Sequence, residues 1–117
     1  MDDSAAVRAR LLALLGDLPG AQLYEACDAE EGLALARARS VEAVILDLNM
    51  PGKSGLAILG PLKGFAAPPV VFVLTGDPTE QHRRNCLALG ADAFLDKAHD
   101  FDRVVELLRA RLPRDVV

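Results

Sequence analysis

AVILDLNMPGKSG, residues 43–55, is the stretch that decides the fold. Its first four residues are apolar and include Val and Ile, which predicts a strand buried on both faces. The Pro- and Gly-containing segment after Asp47 predicts a loop, so Asp47 stands where the strand leaves the core. In open α/β sheets ligands bind at this carboxyl end of the strands. The stretch therefore predicts a carboxylate at a binding edge.

Two further apolar runs also end on polar residues. Residues 70–74 are followed by Thr75 and Gly76, and residues 93–96 are followed by Lys97. If these strands are parallel neighbours, a carboxylate, a hydroxyl and an ammonium group meet at one edge of the sheet. The acidic pair Asp2-Asp3 near the start would supply further oxygens to the same place.

The acidic groups predict a metal ion. Two carboxylates 4 Å apart repel by roughly 4 kcal/mol at an effective dielectric constant near 20. Clustering Asp2, Asp3 and Asp47 therefore favours a hard divalent cation, and Mg²⁺ suits such a site because it prefers oxygen ligands and commonly lies beside phosphate.

Size and charge limit the possible classes. The 117 residues, 51% of them hydrophobic, predict a single domain over 1–117, with 113–117 as a C-terminal tail. The net charge of −4 gives no basic footprint, so we expect no direct contact with nucleic acid. The sequence shows no leader and no apolar stretch near ~18 residues, which predicts a cytoplasmic protein without a membrane segment.

Helical and strand patterns alternate along the whole chain. The order is helix, strand, helix, strand, helix, strand, helix, strand, helix, which predicts a doubly wound parallel sheet covered on both faces. Gly60-Pro61 should end or bend the helix that begins near Ser54, because proline removes a backbone donor. Asp100 is predicted to cap the last helix, which should run through Leu112.

At this point the chain resembles the receiver domain of bacterial two-component response regulators, over essentially its whole length. The matching positions are the acidic pair Asp2-Asp3, the loop of Asp47, Met50, Pro51 and Gly55, the Thr75-Gly76 step, Lys97, and the aromatic Phe94 three residues before that lysine. The resemblance implies a flavodoxin-like sheet of order 2-1-3-4-5. Ala98 stands where the family usually has proline, which puts a cis peptide after Lys97 in doubt.

The chain departs from the family at its first strand. That strand lies in the middle of the family's sheet, between the strands predicted near residues 22–27 and 43–47, yet only Met1 precedes the acidic pair. An empty central position would leave buried backbone groups unpaired. Upstream residues, direct pairing of the two flanking strands, or a second chain would each solve the problem. We favour upstream residues, because the acidic pair needs a rigid support.

The resemblance also implies a chemistry. Asp47 would accept a phosphoryl group, Mg²⁺ would bind Asp3, Asp47 and the backbone carbonyl of Asn49 directly, and Asp2 would act through water. Lys97 and Thr75 would contact the phosphoryl oxygens, and Phe94 would move with Thr75 and change a surface formed by residues 78–112. The donor would be a histidine kinase or a histidine phosphotransfer protein, and a homodimer is possible.

Two alternatives stay open. The chain could be a receiver-like interaction module that is never phosphorylated, because its metal site is incomplete. It could also be a phosphohydrolase with an aspartate nucleophile, but enzymes of the haloacid-dehalogenase type need a second carboxylate where this chain has Asn49. We expect a stand-alone receiver and not an enzyme, with self-phosphorylation from small donors and self-dephosphorylation as its only intrinsic activities.

Overall fold

The computed structural model describes residues 1–2, 4–16, 20–49, 55–111 and 114–117. The helices are α1 (Ala5–Leu15), α2 (Ala29–Arg39), α3 (Gly55–Lys63), α4 (Glu80–Ala88) and α5 (Phe101–Arg111). The strands are β1 (Gln22–Leu23), β2 (Ala43–Leu46), β3 (Val70–Thr75), β4 (Ala93–Asp96) and β5 (Asp115–Val116). All nine predicted elements are present, and β5 is a tenth that the sequence pattern did not predict.

The strands form one parallel sheet in the order β1-β5-β2-β3-β4. Strand β2 is buried along its whole length and pairs with β3 from Ala43↔Val70 to Leu46↔Val73. Two clusters of buried apolar side chains cover the sheet, one containing Val44, Leu46, Val71 and Val73 and the other containing Ile45, Phe72 and Leu74. This alternation confirms the predicted flavodoxin-like sheet with helices on both faces.

The central position of the sheet is occupied by the chain's own C-terminal segment. Strand β5 pairs with β1 on one side, through Gln22↔Asp115 and Leu23↔Val116, and with β2 on the other, through Ala43↔Val116. The expectation of a C-terminal tail outside the sheet over 113–117 is therefore wrong for residues 115–116, which form a strand. Direct pairing of the two flanking strands is also wrong, because β5 separates them, and the position is filled without upstream residues or a second chain.

Polar side chains cap the starts of three helices. The Ser4 hydroxyl accepts the Val7 N–H, the Asp28 carboxylate accepts the Glu31 N–H, and the Thr79 hydroxyl accepts the His82 N–H. These side chains satisfy backbone donors that the first helical turn leaves unpaired. At the other end of α4, Gly90 has φ +102, a left-handed conformation that glycine adopts without strain.

Several local predictions differ from the structure. The predicted early end of α3 at Gly60-Pro61 is wrong, because Ile58, Leu59 and Leu62 on the buried face hold the helix against the core as far as Lys63; the predicted bend stays a prediction. The Asp100 carboxylate accepts the Asp96 N–H, at 2.9 Å, so it ties the preceding strand to α5. Strand β1 is two residues long where the pattern predicted six. The last helix ends at Arg111 among the described residues, and Leu112 lies outside them.

Gly55 is required by a close backbone approach. Its N–H donates to the Leu48 carbonyl at 3.0 Å, and a Cβ at this position would collide with the carbonyl oxygen of Asp47. We therefore expect Gly55→Ala to lower the free energy of unfolding by about 1–3 kcal/mol, measured by urea denaturation. The control is Gly64→Ala, because a Cβ there would make only ordinary contacts, 3.4 Å from the Gly60 carbonyl oxygen. Equal stability of the two variants would contradict this account.

Candidate phosphoacceptor site

The predicted site residues lie along one edge of the sheet. Asp47 directly follows β2, Thr75 is the last residue of β3, and Lys97 directly follows β4. Asp2 lies between the ends of β1 and β2, where its N–H donates to the Ala26 carbonyl at 3.0 Å. Parallel strands bring their carboxyl ends to the same edge, and this is why residues distant in sequence meet here.

Lys97 bridges the two described carboxylates. Its Nζ lies 2.7 Å from Asp2 Oδ2 and 3.0 Å from Asp47 Oδ2. Both carboxylate side chains are only 4% exposed, whereas the Lys97 side chain is 20% exposed. Charge-assisted hydrogen bonds of this length are stronger than neutral ones. One ammonium is therefore shared by two buried carboxylates, and it is the most exposed of the three groups.

The pKa of Lys97 reflects this environment. Partial burial alone would lower the pKa of the ammonium, but hydrogen bonds to Asp2 and Asp47, together with their charges, outweigh that effect and raise it. Lys97 is therefore a fixed positive charge at neutral pH. A fixed charge beside Asp47 would stabilise negative charge that develops on a group bound there.

Backbone contacts hold both carboxylates in place. The Ser4 N–H donates to Asp2 Oδ1 at 2.8 Å, and Arg8 Nη1 donates to the Asp2 carbonyl at 2.7 Å. The Asn49 N–H donates to Asp47 Oδ1 at 3.2 Å, and the Asp47 N–H donates to the Met1 carbonyl at 3.0 Å. Sequence reasoning did not predict the part played by Arg8, and only its place one turn inside α1 could have suggested it.

Thr75 and Gly76 lie at the end of β3, and Thr75 supplies a hydroxyl group at this edge of the sheet. Thr75 is fully buried, its Oγ1 accepts the Asp77 N–H at 3.1 Å, and its carbonyl accepts the Lys97 N–H at 2.9 Å. Gly76, next in the chain, is exposed. Because Oγ1 uses a lone pair for Asp77, its proton can be donated to another acceptor. The peptide bond between Lys97 and Ala98 is trans.

Phe94 lies away from the carboxylates, inside β4. It is half-buried and packs against the cluster of buried side chains that includes Met1, Leu46 and Val73. Its side chain thus has both core contacts and some solvent access. Among the other predicted residues, Gly55 lies beside Asp47 as described above, whereas Asp3, Met50 and Pro51 lie outside the described residues.

A short ion-paired turn follows the site, and sequence reasoning missed it. His99 Nδ1 lies 2.8 Å from Asp96 Oδ2, and the Ala98 N–H donates to Asp96 Oδ1 at 2.8 Å. The hydrogen bond to the Asp96 carboxylate raises the pKa of His99, and the same contact lowers the pKa of Asp96. These bonds fix the backbone on both sides of Lys97. The spacing Asp96-x-x-His99, an acidic and a basic side chain three residues apart, is the sequence signal that could have predicted this contact.

The described oxygens suit a hard cation. Asp2 and Asp47 are buried carboxylates that converge on one point, and the Asn49 backbone follows within two residues. Carboxylate and carbonyl oxygens are the ligands that Mg²⁺ prefers. The donor set therefore fits a divalent metal ion, and no thiol or imidazole contacts these carboxylates in the described part of the chain.

Comparisons with known proteins place the chain in a family. Residues 1–109 match the model of the response regulator receiver domain, and the chain belongs to that family. It is 33% identical over 115 residues to the KDP operon transcriptional regulatory protein KdpE of Escherichia coli (strain K12), covering 97% of this chain and 50% of that protein. The chain thus spans about half the length, or less, of the curated relatives it matches.

Solved structures share the fold. A two-component response regulator of the LuxR family from Aurantimonas sp. SI85-9A1 aligns with a TM-score of 0.83 at 25% identity, covering 95% of this chain and 80% of that one. A Burkholderia pseudomallei response regulator with a phosphorylated aspartic acid, a calcium ion and citrate aligns with a TM-score of 0.79 at 25% identity, covering 94% and 68%. The chain is therefore a receiver domain of the two-component response regulators. None of the described helices is long and apolar enough to span a membrane.

Proposed function

We propose that this chain is a phosphoryl-accepting switch in which Asp47 receives the phosphoryl group. The observation that carries the proposal is the buried pair of carboxylates, Asp2 and Asp47, bridged by the Lys97 ammonium at the carboxyl edge of the sheet. A plain structural ion pair needs one carboxylate for one ammonium. Here two buried carboxylates share one ammonium, and the Arg8 guanidinium donates to the Asp2 carbonyl and not to a carboxylate oxygen, so the carboxylate pair favours an additional cation.

The transfer step uses few groups. A carboxylate oxygen of Asp47 attacks the phosphorus of a phosphohistidine, a P–O bond forms, the P–N bond breaks, and the electron pair leaves on the imidazole nitrogen of the donor. Lys97 and the Thr75 hydroxyl then contact phosphoryl oxygens. Positioning and neutralisation of charge supply most of the catalysis in phosphoryl transfer, and this site offers both.

Mg²⁺ is the metal that we assign to the site. Asp47 and the carbonyl of Asn49 would hold it with Asp3, and Asp2 would act through water, as the family resemblance implies. When bound, Mg²⁺ neutralises the charge between the carboxylates and the phosphoryl oxygens. The structure of the Burkholderia relative holds both a phosphorylated aspartic acid and a calcium ion, which supports the proposal of a divalent cation in this chain.

Phosphorylation would change the surface formed by residues 78–112, and a partner protein would bind there. Thr75 ends β3 directly before this surface, and Phe94 lies within it at the middle of β4. A shift of Thr75 toward the phosphoryl group would open space for Phe94, which biases a two-state surface. Helix α4 carries the ion-paired side chains of Glu80, Arg83 and Arg84 and the exposed Leu87, and the exposed Leu89 caps its C-terminal end. We assign this helix to the output partner.

A histidine kinase or phosphotransfer protein in the cytoplasm is the donor that we infer. Transfer to an aspartate, followed by slow loss of the phosphate, makes the chain a phosphoacceptor protein and not an enzyme with a separate substrate. The net charge of −4 gives residues 1–117 no basic footprint, so we infer no direct contact between these residues and nucleic acid.

Acetyl phosphate with Mg²⁺ tests the proposal on the whole chain. We expect the mass of one phosphoryl group to appear on the intact protein, to depend on Mg²⁺, and to disappear over time after removal of the donor. The chain has one tyrosine and no tryptophan, so Tyr24 fluorescence reports changes near β1. Absence of both the added mass and a fluorescence response to beryllofluoride would favour the phosphorylation-independent interaction module.

A further inference from the structure

The central position of the sheet is shared by two segments from opposite ends of the chain. The Gln22 and Tyr24 N–H groups donate to the carbonyls of Arg114 and Val116, so the C-terminal segment continues along β1. Further along the same position, the Asp2 N–H donates to Ala26. Residues 114–117 thus fill the first part of the central position, and Met1 and Asp2 fill the part nearest the acidic site.

The bonds to β2 show one continuous ladder. The Val117 N–H donates to Ala43 and its carbonyl accepts the Ile45 N–H, at 3.0 and 2.8 Å. The Met1 nitrogen then donates to the Ile45 carbonyl at 2.7 Å, and the Met1 carbonyl accepts the Asp47 N–H. Evenly spaced bonds of this kind are those of a parallel pair. Val117 and Met1 therefore occupy positions opposite residues 44 and 46, with one position between them.

The position between Val117 and Met1 coincides with a cavity. A void of about 40 Å³ lies there, and its apolar lining includes Leu11, Leu15, Leu23, Ile45 and Val116. Val116 belongs to this side of the sheet, whereas Val117 and Met1 belong to the opposite cluster. Alternation along a strand would point the side chain of an intervening residue into this cavity. The two segments have the register of one strand that lacks a single residue.

We propose that strand β5 positions Asp2 for the acidic site, acting through this shared central strand. Residues 115–117 keep β1 and β2 one strand apart. This spacing gives Met1 its ladder bonds to Ile45 and Asp47, and it gives Asp2 its bond to Ala26, which sets the Asp2 carboxylate 2.7 Å from Lys97. The C-terminal segment thus supports the metal and phosphoryl site indirectly, through the backbone positions of Met1 and Asp2. It contacts neither carboxylate oxygen of Asp47.

Val117→Pro tests the positioning role, because proline removes the N–H that donates to Ala43. We expect faster hydrogen exchange at the amides of Asp2 and Asp47, unchanged exchange at the Lys97 amide, and a Mg²⁺ affinity at least ~10-fold lower, as for other residues that orient metal ligands. Val117→Ile keeps the backbone N–H donor and a β-branched side chain. This control should show the same hydrogen exchange at Asp2 and Asp47 and the same Mg²⁺ affinity as the unmodified chain. Unchanged exchange at Asp2 and Asp47 in a folded Val117→Pro chain would overturn the proposal.

A circular chain gives a second test that does not depend on a destabilising change. Joining Val117 to Met1 through one added valine should yield a folded monomer with a higher melting temperature than the linear chain and with Asp2 and Asp47 protected from exchange. A glycine bridge should stabilise less, because it leaves the cavity unfilled. Failure of the valine-bridged chain to fold would contradict the one-residue register.

The metal readout rests on the proposed function, whereas the exchange readout does not. If the unmodified chain fails to bind Mg²⁺, the proposed function fails, and exchange at Asp2 and Asp47 still decides the role of β5. If the unmodified chain binds Mg²⁺ and the folded Val117→Pro chain binds it equally well, the proposed function stands and the positioning role is refuted.

Discussion

Asp47→Asn should abolish uptake of phosphate from acetyl phosphate. An amide is a poor nucleophile, and it cannot form the acyl phosphate that the carboxylate forms. The substitution keeps the size of the side chain and the Oδ1 that accepts the Asn49 N–H, and Lys97 retains its 2.7 Å contact with Asp2. The variant should therefore stay folded. Mass spectrometry of the intact protein would measure the loss.

Asp102→Asn is the matched control for this experiment. Asp102 is an exposed carboxylate in the first turn of α5, away from the described carboxylate pair. Its loss changes the net charge by the same amount and should leave phosphate uptake at the level of the unmodified chain. Continued labelling of Asp47→Asn would show that another group is the acceptor.

Lys97→Met should destabilise the metal-free protein and make it more responsive to Mg²⁺. Without the ammonium, Asp2 and Asp47 lose the ion-pair partner that they share, and the Arg8 guanidinium donates only to the backbone carbonyl of Asp2. Removing one member of a buried ion pair typically costs about 3–5 kcal/mol, and the 20% exposure of Lys97 reduces this to roughly 1–3 kcal/mol here. Added Mg²⁺ should recover most of that loss, because a divalent cation can replace the missing charge. Urea unfolding with chelator and with excess Mg²⁺ measures both quantities.

Lys63→Met is a suitable comparison. Lys63 Nζ forms an ion pair with Asp92 at 3.0 Å and is 23% exposed, so its burial resembles that of Lys97. Its loss should cost similar stability with and without Mg²⁺, because the pair lies at the opposite end of the strands, next to Pro69. An identical Mg²⁺ response in the two variants would mean that Lys97 does not share its carboxylates with the metal.

The edge of the sheet was predictable because strand patterns and strand ends are local. Runs of β-branched and apolar residues specify β2 and β3, and the residue type that follows each run is visible without any structure. Parallel order then brings Asp47, Thr75 and Lys97 to one edge. The caps Ser4, Asp28 and Thr79 are local in the same sense, because each accepts from a backbone N–H three residues away.

Strand β5 could not be predicted from a local pattern. Val116 and Val117 are two apolar residues beside a charged one, which is shorter than the four to eight residues that identify a buried strand. They form a strand because the buried N–H and C=O groups of β1 and β2 need hydrogen-bond partners, and those two strands lie far from residues 116 and 117 in the sequence. Helix α3 gives a second example, because tertiary burial of Leu59 and Leu62 outweighs the local cost of Pro61.

Chemical trapping of the phosphorylated residue tests the identity of the phosphoacceptor directly. After reaction with acetyl phosphate and Mg²⁺, borohydride reduces an aspartyl phosphate to homoserine, and peptide mass spectrometry locates the change. We predict homoserine at residue 47 alone, and none when Mg²⁺ is removed by chelator. Homoserine at another aspartate, or phosphate retained on a histidine or a hydroxyl side chain, would contradict the assignment of Asp47 as the phosphoacceptor.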